Sequence, residues 1–209
     1  MVRRLPVYLL LDTSGSMAGE PIEAVRQGVK ALVADLKGDP TSLETAFLSV
    51  ITFDDEARQV IPLTELTSFR EPSLDASGRT ALGHALSVLL DALDSEVRRT
   101  TSTQKGDWRP LVFLMTDGEP TDAWEAAADA VSRRKYGAFV ACAAGPRANS
   151  ATLRRMTETV VELSSLQPEE LKLFFRQVTD SIKQASASIQ ALPPRGQADF
   201  GPDPGLHTP

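Results

Sequence analysis

Short, continuous apolar segments alternate with amphipathic helical segments along most of this chain, and this alternation constrains its fold more than any other feature. The main apolar segments are residues 7–11, 46–53, 111–115 and 138–144. Runs of this kind are typical of strands buried on both faces, as in a parallel sheet covered by helices. Shorter strands are predicted at 58–63 and 160–163. The pattern predicts an α/β, doubly wound, mostly parallel sheet with one antiparallel edge strand and helices on both faces.

The intervening segments show the 3.6-residue apolar period of helices. The first begins at Pro21, because a proline in the first helical turn loses no hydrogen bond, and it ends at Gly38-Asp39-Pro40. In the last, Leu171, Phe174, Phe175, Val178 and Ile182 fall on one side, which predicts a core-facing stripe. Further helices are expected after Thr80 and at 123–135, 150–157 and 168–189, with loops at 66–77 and 100–107.

Composition and length predict one folded domain followed by a tail. The chain has 209 residues, of which 42% are hydrophobic and 24% are charged, an ordinary globular balance. Residues 191–209 differ, since 5 of these 19 residues are proline and 3 are glycine. We therefore expect a single domain over residues 1–190 and a flexible Pro/Gly-rich tail over 191–209.

Charge and cysteine content exclude several classes of function. A net charge of -6 and a sequence pI near 5.0 make nucleic acid a poor partner. The single cysteine, Cys142, allows no intrachain disulfide and no cysteine-based zinc site. No apolar run reaches the roughly 18 residues of a membrane span. The run at 7–11 is too short for the core of a signal peptide, so we expect a cytoplasmic protein with no membrane partner.

Three polar segments follow predicted strands or precede a helix, and together they predict a metal site. Asp12, Ser14 and Ser16 come directly after the first strand, Thr80 precedes the second long helix, and Asp117 follows the 111–115 strand. In open α/β sheets, ligands bind beyond the carboxyl ends of the strands, where these segments would converge. Carboxylate and hydroxyl oxygens suit Mg²⁺, Ca²⁺ or Mn²⁺ rather than zinc. Gly15 is expected to provide the sharp turn that brings the two serines together.

Each of these residues also has a purely structural interpretation. Asp, Ser and Thr are common in turns and helix caps, and Thr80 by itself is most simply an N-cap. His84 is expected to pack or face solvent, not to bind metal, and Cys142 to be an inert core residue. Solvated charge on the rim of the site is the favoured interpretation of Glu20, Glu119 and Asp122.

Taken together, Asp-x-Ser-x-Ser at 12–16, Gly-x-Thr at 78–80 and Thr-Asp-Gly at 116–118 resemble the motifs of a von Willebrand factor A domain. The resemblance covers roughly residues 5–190 and implies that the five oxygen-bearing residues form a metal-ion-dependent adhesion site. It implies a binding module without catalytic residues, in which one divalent ion, Mg²⁺ first and Mn²⁺ or Ca²⁺ next, is completed by a carboxylate from a protein partner.

Within that family, the opening Pro-Val-Tyr-Leu-Leu-Leu-Asp-Thr-Ser-Gly-Ser-Met resembles bacterial proteins associated with tellurite resistance and stress. That likeness suggests partners from the same system, such as a kinase and a phosphatase encoded alongside.

Two other classes of function stay open at this stage. One is a Mg²⁺-dependent phosphohydrolase of the haloacid-dehalogenase type, which also places an aspartate after its first strand. That class uses an acidic residue two positions later, where this chain has Ser14, and no nucleophile–base pair is evident elsewhere. The other is a scaffold domain of the same fold that does not use metal.

Overall fold

A central sheet of six strands, β3-β2-β1-β4-β5-β6 in spatial order, forms the middle layer of the protein. The computed structural model describes residues 3–191. All neighbouring strands are parallel except β2 and β3, which confirms the predicted doubly wound α/β fold. The strands are β1 (Leu5–Asp12), β2 (Ala46–Phe53), β3 (Ala57–Glu65), β4 (Leu111–Thr116), β5 (Ala138–Ala144) and β6 (Thr159–Leu163). The helices are α1 (Glu20–Gly38), α2 (Pro40–Thr45), α3 (Leu82–Glu96), α4 (Glu125–Ser132), α5 (Ser150–Arg154) and α6 (Pro168–Ala191).

The central strands are buried on both faces, as their continuous apolar sequences predict. All eight residues of β1 are buried. Because successive side chains of a strand point to opposite faces, Val7, Leu9 and Leu11 pack in the layer that holds α1 and α6. Tyr8 and Leu10 pack in the other layer, with α3 and α4. Each face of the sheet thus has its own apolar core.

The last helix packs along α1 through the predicted stripe. Leu171, Phe174, Phe175, Val178 and Ile182 are all buried. The rings of Phe174 and Phe175 meet edge to face, with centroids 5.7 Å apart. The prediction that these aromatic residues belong to the core is therefore correct for both of them.

Several helix boundaries differ from the sequence prediction; the helix predicted at 150–157, for example, is α5 and ends at Arg154. The first helix was predicted to end at Gly38-Asp39-Pro40, and α1 does end at Gly38. A second helix that was not predicted, α2, begins at Pro40, and Asp39 accepts a hydrogen bond from the Ser42 amide at 2.8 Å. The helix predicted at 123–135 is shorter, since α4 spans Glu125–Ser132. Nearly all of the predicted tail, residues 192–209, lies outside the described residues.

The topology also marks one edge of the sheet for ligand binding. The chain runs outward from β1 to β2 and β3 on one side, and from β4 to β5 and β6 on the other. The strand order therefore reverses between β1 and β4, and the crevice beyond their carboxyl ends is the usual ligand position in such sheets. Within residues 3–191, none of the helices combines the length and apolar character that a membrane span requires.

Candidate metal site

Asp12, the last residue of β1, forms the floor of this crevice. Its side chain is buried, and both carboxylate oxygens accept hydrogen bonds, one from the Ser14 amide at 2.8 Å and the other from the Thr116 hydroxyl at 2.6 Å. Burial raises the pKa of Asp12 to about 6, while the bonds from Ser14 and Thr116 oppose that rise. A nearby cation would favour the ionised form of this carboxylate and lower its pKa again.

Ser14, Ser16 and Asp117 form a continuous hydrogen-bonded group above Asp12. The hydroxyls of Ser14 and Ser16 lie 3.1 Å apart, and the Ser16 hydroxyl donates to Oδ1 of Asp117 at 2.7 Å. Asp117 is 1% exposed. Two segments that are 101 residues apart in the chain thus bring their oxygens to one point, as the sequence predicted.

Thr80 brings the third segment to the same place, but it does not cap α3 as its position suggested. The N-cap position is Ala81, which makes no side-chain cap bond. The carboxylate of Asp122 instead accepts from the amides of Gly83 at 3.0 Å and His84 at 2.9 Å. Within the described residues the Thr80 hydroxyl has no hydrogen-bond partner, and a Cβ built at Gly118 would lie 3.4 Å from it. This hydroxyl is available to a ligand.

Backbone hydrogen bonds hold the three loops against one another. The Gly15 amide donates to the Gly78 carbonyl at 3.0 Å, and the Ser77 amide donates to the Thr13 carbonyl at 2.9 Å. The Thr121 amide donates to the carbonyl of Thr80 at 3.0 Å. The loops are therefore fixed to each other as well as to their strands, which keeps the site oxygens together.

The role predicted for Gly15 is wrong in its detail. Gly15 does not have a positive φ, so the turn there needs no special backbone conformation. A Cβ at Gly15 would lie 3.2 Å from the Gly78 carbonyl oxygen, so what Gly15 permits is the close approach of two loops. Gly78 is the residue with a left-handed backbone, at φ +69°.

The rim residues behave in different ways. Glu20 and Glu119 are exposed, as expected of solvated charges. Asp122 is not a free surface charge, because it caps α3. His84 faces solvent and its Nδ1 accepts from the Ala57 amide at 3.0 Å, so its structural interaction is with β3.

Sequence reasoning missed a fourth segment, the loop between β5 and α5. Nη2 of Arg147 donates to Oδ2 of Asp117 at 3.1 Å. The Asn149 amide nitrogen donates to Oε1 of Glu119 at 3.3 Å. The position of this loop was a usable signal, because it directly follows a strand predicted to end at the same edge of the sheet.

The donor set fits a hard divalent cation. Three hydroxyls and two carboxylates contribute only oxygen, the ligand type of Mg²⁺, Mn²⁺ and Ca²⁺. Among the described residues no group of three or more His, Cys, Asp or Glu side chains could hold a metal, so the two carboxylates would need further oxygen ligands, which the neighbouring hydroxyls offer. Within the same residues, Asp12 forms no ion pair and Asp117 forms one, with the exposed Arg147. Arg147 is thus the one basic side chain, within the described residues, that compensates the charge of these two buried carboxylates.

Comparison with known proteins agrees with this fold. Residues 7–186 match the model of the von Willebrand factor type A domain, and the chain belongs to that family. An uncharacterized protein of Synechocystis sp. is 33% identical over 124 residues, which are 56% of this chain and 26% of that protein. The chain therefore spans about a quarter of the length of that curated relative.

Solved structures with the same fold come from unrelated settings. A mutant of the PilB minor pilin from Streptococcus sanguinis matches 92% of this chain and 64% of its own, with a TM-score of 0.67 and 13% identity. Proximal thread matrix protein 1 from the mussel byssus, with a zinc-occupied metal-ion-dependent adhesion motif, matches 86% of this chain and 48% of its own, at a TM-score of 0.61 and 19% identity. A von Willebrand factor type A protein from Catenulispora acidiphila matches 87% of this chain and 43% of its own, with a TM-score of 0.61 and 21% identity.

Proposed function

We propose that this chain is a metal-dependent protein-binding module and not an enzyme. A single divalent ion, Mg²⁺ in the cell, would be held by Ser14, Ser16 and Thr80, with Asp12 and Asp117 contacting it directly or through water. The ion supplies a Lewis-acidic position for an anionic ligand. The observation that carries the proposal is the hydrogen-bonded group of Ser14, Ser16 and Asp117 beside the unpartnered Thr80 hydroxyl.

The hydrogen bonds of Asp12 support its acting through water. Both of its oxygens already accept bonds from Ser14 and Thr116, which favours an outer position that orients the site. If Asp12 stands back, the direct ligands offer at most the single negative charge of Asp117. The ion would keep a net positive charge and an open position, which a partner's Asp or Glu carboxylate would fill best.

The byssus protein with a zinc-occupied adhesion motif shows that this fold holds a divalent ion elsewhere. We infer the same kind of site here from the five oxygen-bearing residues that lie at the carboxyl ends of β1 and β4 and in the 78–80 loop. We further propose, from the opening sequence, a cytoplasmic role in a bacterial tellurite-resistance or stress system, with a kinase and a phosphatase of that system as candidate partners.

Binding to the metal is tested first, by soaking crystals in Mn²⁺. An anomalous peak between Ser14, Ser16 and Thr80 is expected, and its absence at saturating Mn²⁺ would contradict the proposal. Partner binding is tested by affinity capture from the native host with Mg²⁺ or with a chelator. Proteins retained with Mg²⁺ should be lost with the chelator and with Thr80→Ala, but retained by Glu119→Ala.

The enzyme alternative has a direct assay. Position 14, where the dehalogenase-type phosphatases have an acidic residue, is a buried serine here, which leaves no general acid there. We expect no hydrolysis of p-nitrophenyl phosphate with Mg²⁺. Turnover that disappears in Asp12→Asn would favour the phosphohydrolase instead.

A further inference from the structure

Arg147 is the basic side chain that contacts the candidate metal site. It lies in the β5–α5 loop, and its side chain is 66% exposed, whereas that of its partner Asp117 is 0% exposed. An exposed guanidinium here is paired with a fully buried carboxylate. Surface ion pairs between two solvated groups contribute little to stability. This pair differs, because one of its groups is buried and Arg147 is the only ion-pair partner of Asp117 within the described residues.

The two oxygens of Asp117 face different partners. Oδ1 accepts from Ser16 and Oδ2 accepts from Arg147. One carboxylate therefore bridges the proposed metal side of the site and the guanidinium. An incoming carboxylate of the same size could make the same bridge from the solvent side, with one oxygen toward the ion and the other toward Arg147.

Hydrogen bonds fix both ends of the β5–α5 loop, whereas the side chain of Arg147 is exposed. The Gly145 amide donates to the Leu163 carbonyl at 2.9 Å. At the other end Asn149 caps α5, accepting from the Ala151 amide at 3.0 Å. Among the described residues, the Arg147 guanidinium makes its hydrogen bond to Asp117 and to no other side chain. Its remaining N–H groups are therefore available for a second, forked interaction with a carboxylate.

We propose that Arg147 is a specificity-determining residue of this site: it pairs with Asp117 when no metal is bound and with the partner's carboxylate when metal is bound. This inference rests on the proposed function of the site. A divalent ion held beside Asp117 would share that carboxylate with the Arg147 guanidinium. Repulsion between these like charges across several ångströms of a water-like medium corresponds to about a tenfold loss of metal affinity. The same positive charge then attracts an acidic ligand.

The first test measures Mn²⁺ affinity by titration calorimetry at low salt. Arg147→Gln keeps a polar side chain and removes the charge, so it should bind Mn²⁺ about tenfold more tightly than the wild type. The gain should shrink as salt rises, because salt screens exposed charges. Arg147→Lys, which keeps the charge, should stay close to the wild type.

Arg79→Gln is the matched control. Arg79 lies on the neighbouring 78–80 loop, its side chain is 78% exposed, and it reaches Asp55 at 3.9 Å rather than a site carboxylate. Because the carboxylate of Asp55 lies beside this charge, the Mn²⁺ affinity of Arg79→Gln should stay within about twofold of the wild type. If Arg147→Gln also stays within that range, or binds more weakly, the inference is overturned.

The second test uses acetate as the carboxylate probe on Mg²⁺-saturated protein. Chemical shift changes at residues 117–120 and 145–149, measured by nuclear magnetic resonance, report acetate binding. Acetate should bind to the wild type and to Arg147→Lys. It should bind at least threefold more weakly to Arg147→Gln. Equal acetate affinity in wild type and Arg147→Gln, or no binding to the wild type, overturns the assigned role. Failure of the wild type to bind Mn²⁺ at all would instead contradict the proposed function itself.

Discussion

The backbone of Gly28 on α1 lies directly against the aromatic ring of Phe175 on α6, so that a Cβ built at Gly28 would fall 2.2 Å from Cδ2 of the ring. The absence of a side chain at Gly28 is what allows these two helices to approach each other. Because Phe175 is buried, its ring cannot simply turn out into solvent.

Gly28→Ala should therefore destabilise the protein. Forcing a methyl group into this contact must shift the ring or separate the helices, and overpacking of this kind costs about 2 kcal/mol. Gly38→Ala is the control, since nothing lies within 4 Å of a Cβ there and its φ is not positive. Urea unfolding followed by circular dichroism compares the two, and equal stabilities would contradict this account of the contact.

A buried ion pair at the opposite end of the sheet should matter more than the exposed pairs. Arg4 makes two hydrogen bonds to Asp107, at 3.0 and 2.5 Å, and the side chains are 13% and 3% exposed. Asp107→Ala leaves a largely buried guanidinium without its carboxylate partner, although the Glu96 carbonyl still accepts from it at 2.7 Å. We expect this loss to cost about 3 kcal/mol. Asp94→Ala breaks a pair with Arg134 in which the side chains are 46% and 40% exposed, and it should lower the free energy of unfolding far less, because solvent screens exposed pairs. Chemical denaturation measures both, and a smaller loss in Asp107→Ala would refute this ranking.

Asp122 should stabilise α3 from outside the helix. Its carboxylate satisfies the amides of Gly83 and His84, and loss of such a cap costs about 1 kcal/mol. Asp122→Ala should lower the free energy of unfolding by that amount, and Asp122→Asn by less, because its amide oxygen still accepts a hydrogen bond. Glu119→Ala, an exposed change on the same loop, should have no measurable effect on the unfolding free energy.

The strands were predictable because burial on both faces leaves a direct mark on sequence. The bounds of β2 and β5 are those that the apolar runs at 46–53 and 138–144 indicate. Helix α2 was missed because Asp39 and Pro40 serve two purposes. They end one helix and begin the next, and only the bond from the Ser42 amide to Asp39 distinguishes the two cases.

The three loops of the candidate site were predictable because all of them adjoin an element whose position the fold class fixes. The pairing of Arg147 with Asp117 was not, since an exposed loop arginine carries no local pattern. The sequence also could not predict that Asp122, and not Thr80, caps α3. That cap depends on how the loop after β4 folds back over the helix. Whether the five oxygen residues bind metal stays a prediction.

The buried thiol of Cys142 should make the protein less stable in alkali. Burial raises the pKa of Cys142 from 9.0 to about 12, so between these values the unfolded chain loses the thiol proton while the folded chain keeps it. Unfolding therefore becomes more favourable as the pH rises through this range. From pH 8 to pH 10 the wild type should lose about 1 kcal/mol relative to Cys142→Ala. Tyrosines and lysines common to both proteins cancel in this comparison, and a difference that does not change with pH would contradict it.

Thr80 offers the sharpest separation of metal binding from folding. Its hydroxyl has no hydrogen-bond partner within the described residues, so Thr80→Val, which replaces the hydroxyl by a methyl group of similar size, should leave the stability of the metal-free protein nearly unchanged. A ligand that binds only the folded state at 100 times its Kd adds about 2.7 kcal/mol of stability. Wild type and Thr80→Ser, which keep the hydroxyl, should show a rise in Tm with Mg²⁺ that a chelator reverses, whereas Thr80→Val should show a much smaller rise.

Because the metal-free Tm of each variant is recorded in the same experiment, a folding defect is distinguished from a binding defect. An equal Mg²⁺-dependent rise in Thr80→Val would remove this hydroxyl from the proposed ligand set.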